Sequence, residues 1–164
     1  MPENDSTRLS LVHSPSEAQH ASPSSSVSNP VIRGLNEALR AELSTLECHK
    51  SAYFELPLKE RQDQAECFWR DLELKEEHAD ALAERIQALG AKPQFEMGSP
   101  AEVLPKPQLS PLSCEQNCHA KYEELLRALE NRDPITSKLL QKLFDEQTRQ
   151  LRNLEERLKP RLAS

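Results

Sequence analysis

Residues 90–111 read GAKPQFEMGSPAEVLPKPQLSP. Proline recurs through the segment and stiffens an extended path. At roughly 3.3 Å per residue it reaches about 70 Å, more than the ~45 Å of a 30-residue helix. A link of this kind can run the full height of a helical layer and deliver the chain to its opposite end. From about residue 30 to 158 the sequence on either side of it has helical periodicity, so the link decides how the helices are joined.

Upstream, two helical patterns stand about Leu56-Pro57. The first spans about 30–55, with Asn29-Pro30 as cap and first turn and a stripe of Ile32, Leu35, Leu39, Leu43, Leu46 and Tyr53. The second spans about 58–89, with a stripe of Ala65, Phe68, Trp69, Leu72, Ala79, Ala83 and Ile86, and Gly90 as its stop. Downstream, a third pattern covers about 111–131, striped by Cys118, Tyr122, Leu125, Leu126 and Leu129. A fourth covers about 134–158, opened by Asp133-Pro134. The short links inside each pair predict antiparallel hairpins. Two hairpins joined by one long crossover is the connectivity of ferritin-like bundles. The predicted fold is therefore all-α: a four-helix bundle over 31–158, with its crossover at 90–111. Residues 1–30, a Ser-rich tail with scattered proline, are predicted to be disordered, because they cannot bury enough apolar surface to offset ordering. A docking or regulatory role for that tail is the alternative.

Composition agrees and excludes several functions. Only 3 glycines and few β-branched runs favour helix over sheet. A net charge of -6 argues against a nucleic-acid groove, which needs clustered Lys and Arg. No apolar run approaches the roughly 20 residues of a membrane span, and the N-terminus lacks the apolar core of a signal peptide. The expected location is cytoplasmic. No Ser-His-Asp arrangement, phosphate loop or dinucleotide fingerprint is present.

The chemistry-bearing signal is polar residues inside apolar stripes. A di-metal site of the ferritin class takes a Glu from each of two helices and a Glu-x-x-His pair from each of the other two. By projection Glu42, Glu76 and Glu115 face inward on the first three helices, and Gln147 and Gln150 on the fourth. At about 1.5 Å per residue, each lies some 20–30 Å from its nearest turn, at bundle mid-height. Gln147-Thr148-Arg149-Gln150 stands where a metal bundle shows Glu-x-x-His, and Ala79 follows Glu76 at the third position. His78 projects away from the core, in a Lys75-x-x-His78 frame. Two readings follow. One is a polar layer without a metal cofactor. The other is iron or manganese held by Glu42, Glu76 and Glu115, with Gln147 and Gln150 as partners in the layer. Cys48 and Cys67 project outward, Cys114 and Cys118 read as small packing residues, and His49 and His119 read as boundary residues. Phe68 and Trp69 read as core, with an interface as the alternative.

LNEALRAELSTLECHKSAY (35–53) resembles the first helix of bacterioferritin-type proteins, and EEHADALAERIQALGAKP (76–93) resembles their second. The segment from Cys114 to Leu158, with its Cys-Glu opening and Tyr-Glu-x-x-Leu run, is similar to a bacterial ferritin-like family of uncharacterised function. The first resemblance implies iron oxidation and storage, with Glu42, Glu76 and Glu115 as the matching carboxylates. The second implies a bacterial, stress-associated bundle with no established reaction. Together they lead to the expectation of a non-enzymatic bundle with a degenerate di-metal site, acting through protein contacts as a homo-oligomer or with a protein partner.

Overall fold

A computed structural model describes residues 29–95, 110–129 and 132–159. Residues 1–28 of the predicted tail, and residues 96–109 of the predicted crossover, lie outside the described residues. Four helices are formed: α1 (Pro30–Glu55), α2 (Leu58–Ala88), α3 (Pro111–Leu129) and α4 (Pro134–Leu158).

The helix ends follow from local chemistry. The Asn29 side chain accepts the Val31 N–H at 3.0 Å, and Pro30 fills the first turn, where no N–H is needed. α1 stops because Leu56 precedes a proline and is driven to extended backbone (φ -67°, ψ 147°). α2 ends in a Schellman arrangement. Gly90, at φ 79°, donates to the Gln87 carbonyl at 2.9 Å, and Ala91 donates to Ile86 at 3.1 Å. The Ser110 hydroxyl accepts the Ser113 N–H at 3.2 Å and caps α3. Asp133 accepts the Thr136 N–H at 3.0 Å to cap α4. The same carboxylate takes Arg85 of α2 at 2.8 and 3.1 Å, which pins the α3–α4 turn to the end of α2.

α1 packs on α2 and on α3, α3 packs on α4, and α4 closes on α2, so the helices form a ring. Each hairpin is an intimate pair, and the α1–α3 face joins the hairpins. The main apolar core, with Leu39, Leu82, Ile86, Leu125 and Leu140 at its centre, fills the half near the α3–α4 turn. A smaller cluster of Leu46, Phe68 and Leu72 lies toward the α1–α2 turn, where the Tyr53 ring stacks on Phe68 at 3.8 Å. Glu42, Lys75, His78, Glu115 and Gln147 are buried polar side chains at the level between these clusters.

Candidate functional site: a buried polar waist

Glu42 enters from α1, one turn beyond Leu39 on the same buried face. Its carboxylate is fully enclosed. Tyr122 of α3 donates its hydroxyl to Glu42 Oε1 at 2.6 Å, and His78 Nδ1 of α2 meets the same oxygen at 3.0 Å. The other ring nitrogen, Nε2, lies 3.1 Å from Glu146 of α4. Glu115 enters from the start of α3 and meets His49 Nε2 at 2.9 Å.

Between the two carboxylates lies the ammonium of Lys75. Its Nζ is 2.7 Å from Glu115 Oε2 and 3.3 Å from Glu42 Oε2, and it also donates to Gln147 Oε1. The contact to Glu42 is an ion pair, since Glu42 Oε2 receives no hydrogen bond. The Gln147 amide nitrogen donates in turn to the Glu115 carboxylate, and to its backbone carbonyl at 3.2 Å. Lys75 is only 1% exposed. A lysine this buried is expected to lose its proton, yet two anions in contact reverse the direction. Burial lowers the Lys75 amine, but Glu42 foremost, with Glu115, raises it above its ordinary value. Burial likewise raises the Glu42 carboxyl, and Lys75, His78 and Tyr122 more than offset this and hold it below the usual range. For Glu115, burial is outweighed by His49 and Lys75, and the carboxyl is held at about 2. The waist is thus an ion cluster with its own cation.

These residues do not fit a di-metal centre. A protonated amine has no lone pair to offer a metal, and Lys75 Nζ stands between the two carboxylates that would have to bridge one. The Gln147 oxygen is already engaged by that ammonium. Among the described residues, no group of three or more His, Cys, Asp and Glu is arranged to hold a metal ion.

The family model of the ferritin-like domain matches residues 32–161. The chain belongs to the ferritin-like domain family. Among solved structures, that of ferritin-like, diiron-carboxylate proteins from Bacillus anthracis str. Ames is similar at 22% identity, with a TM-score of 0.63. The match covers 79% of this chain and 96% of that one. At that identity the likeness carries the fold alone. No curated protein matches.

In this ferritin-like chain, three of the five residues predicted for the waist meet there. Glu42, Glu115 and Gln147 converge on Lys75. Gln150 is buried one turn further along α4, and neither of its amide atoms has a hydrogen-bond partner. Glu76 is a correction. Its side chain is 61% exposed and lies 3.9 Å from Lys50 on the outer surface. The projection of α2 was rotated by about one residue, or roughly 100°. Lys75 and His78 face inward instead, which corrects the outward placement of His78. The ligand set Glu42, Glu76 and Glu115 is therefore not assembled in one place. His49 is a member of the cluster rather than a boundary residue. His119 is half-buried and meets the Thr148 hydroxyl at 3.1 Å. Trp69 is 55% exposed, so only Phe68 of that pair belongs to the core. Among the described residues no helix is long and apolar enough to cross a membrane.

Proposed function

We propose that this chain is a metal-independent member of its family, in which the Lys75 ammonium replaces the metal charge, and that it works through protein contacts rather than by catalysis. The observation that carries the reading is Lys75 Nζ lying 3.3 Å from Glu42 and 2.7 Å from Glu115. A ferritin-class metal pair supplies positive charge to a ring of inward carboxylates. In this waist a side chain supplies it, one carboxylate position is an amide, and Glu-x-x-His is reduced to Lys75-x-x-His78. The cluster then holds the four helices in register, with neither a redox centre nor an open coordination position.

A protein-contact role draws support from the α1–α2 turn. Phe54, Leu58 and Trp69 are all more than half exposed there. Phe54 packs edge-on to Tyr53 at 5.3 Å, and Trp69 is edge-on to Phe68 at 4.9 Å. Exposed aromatic groups on a rigid end are what an interface uses. We take the partner to be a second copy of the chain or another cytoplasmic protein.

Titration of the apo-protein with Fe(II) and with Mn(II), followed by calorimetry, tests the metal half. The wild-type chain is expected to give no saturable heat. Lys75→Glu combined with Gln147→Glu and Gln150→His rebuilds carboxylate and imidazole positions and is expected to gain metal affinity. Tight stoichiometric binding by the wild type would overturn the reading.

A further inference from the structure

None of the four cysteines is in a disulfide, and two of them face each other across the joint between the hairpins. The Cys48 thiol on α1 and the Cys114 thiol on α3 lie within hydrogen-bonding reach of one another. Contacts on both sides hold this register. Thr45, three residues before Cys48, donates its hydroxyl to the Ala41 carbonyl at 2.8 Å, and the same oxygen lies 3.4 Å from the Cys114 carbonyl. His49, the next residue, meets Glu115, the residue after Cys114, at 2.9 Å. Cys48 is half-buried and reachable from solvent, whereas Cys114 is enclosed.

We propose that Cys48 and Cys114 form a reversible disulfide, driven by a peroxide, that staples the two helical hairpins together. In the first step the Cys48 sulfur attacks one oxygen of hydrogen peroxide. The O–O bond breaks, the thiol proton leaves with the departing hydroxide as water, and Cys48 becomes a sulfenic acid. In the second step the Cys114 sulfur attacks the Cys48 sulfur. The S–O bond breaks, and the hydroxyl leaves with the Cys114 proton as a second water. The balance is two thiols and one peroxide giving one disulfide and two waters. A dithiol reductant reverses it by exchange.

The order of events follows from position. Cys48 is the accessible sulfur, and burial with the Cys48 contact pushes the Cys114 thiol up to about 12, so Cys114 resolves rather than initiates. The other cysteines have different surroundings. Cys118 is walled in beside Glu42 and Lys75, and burial pushes its thiol well up. Cys67 lies on α2, where it accepts from Arg70 at 3.8 Å. From hydrogen-bonding reach, the two thiols come to bonding distance by side-chain rotation and approach of the two helices. The link would join α1 to α3, the pair of helices that connects one hairpin to the other. It would close the chain from residue 48 to 114 into one loop, removing freedom from the unfolded chain only.

The test uses the reduced full-length chain with hydrogen peroxide at slight excess. Remaining thiols are then alkylated with N-ethylmaleimide under denaturing conditions, and the protein is digested for peptide mass mapping. The expected product is a monomer lighter by two hydrogens, alkylated at Cys67 and Cys118, with one peptide pair linked through Cys48 and Cys114. Its thermal midpoint should rise by roughly 10 °C, and dithiothreitol should reverse the rise. Cys48→Ser, at a half-exposed position, should fold normally and lose both the cross-link and the thermal shift. Four alkylated thiols after peroxide, a sulfinic acid at Cys48 without the linked pair, or a disulfide between chains would each overturn the proposal.

Discussion

Replacing Lys75 by Met keeps the buried stem and removes the charge. Two carboxylates then lose their common cation and one amide oxygen its donor, with no solvent to replace it. Removing one partner from a buried ion pair costs about 3–5 kcal/mol. Glu115 gives an independent scale. Its carboxyl is held at about 2 against an ordinary 4.5. That displacement corresponds to about 3 kcal/mol, divided between His49 and Lys75. The pH dependence is the sharper readout. In the wild type both carboxyls are depressed, so their stabilisation is complete above about 4.5 and fades as pH falls below it, for Glu115 toward about 2. In Lys75→Met the cation is gone and burial dominates, so the folded state takes up protons more readily than the unfolded one, and acid stabilises it relative to neutral pH. Urea unfolding followed by circular dichroism at about pH 7 and about pH 4 should show a large deficit for the variant that narrows at the lower pH. Combining Lys75→Met with Glu42→Gln and Glu115→Gln should recover most of the loss, because an uncharged buried set has no ion to desolvate. A midpoint unchanged by Lys75→Met, or a deficit equal at both pH values, would refute the claim that this ammonium neutralises the waist.

Tyr122→Phe removes the 2.6 Å hydrogen bond to Glu42 without opening a large cavity. It should cost about 1.5–3 kcal/mol in urea unfolding, and a cost within error of zero would mean the bond is not formed. Asp133→Ala removes the α4 cap and the anchor of Arg85, and should lower stability by about 1–2 kcal/mol. The Asp133 carboxyl is held at about 2, first by the Thr136 hydroxyl and N–H and then by Arg85, against an ordinary 3.8. The wild-type advantage over Asp133→Ala should therefore shrink as pH falls through that interval, and a constant advantage would contradict the assignment. Phe54→Ser with Trp69→Ser should leave the unfolding midpoint within about 0.5 kcal/mol of wild type, since both rings are more than half exposed. The same pair should weaken self-association in sedimentation velocity, and unchanged association would remove this end of the bundle as the interface.

The helix boundaries were legible because their signals are local. Asn29-Pro30, Leu56-Pro57, Gly90 and Asp133-Pro134 each act within one turn, and the helices begin and end beside them. Glu42, Glu115 and Gln147 were legible because Leu39 and Leu46 flank the first, Cys118 and Tyr122 follow the second on its face, and Leu143 precedes the third by one turn. α2 misled through Trp69. Assigning that residue to the core rotates the face toward Glu76, seven residues on, and both are exposed. The series Phe68, Leu72, Ala79, Leu82 and Ile86, in steps of three and four, selects Lys75 instead. A preference for lysine at the surface conceals that, and only the facing carboxylates of α1 and α3 make its burial affordable. The Cys48–Cys114 contact depends on the relative register of α1 and α3, which no single-helix projection contains. The same holds for His49 against Glu115.

The most direct test of the central claim is the metal content of the protein purified without chelator from cells supplied with both iron and manganese. Elemental analysis should find far less than one ion per chain, in the wild type and in Glu42→Gln alike. A near-stoichiometric metal that is lost on changing Glu42 or Glu115 would contradict the assignment of Lys75 as the cation of the waist.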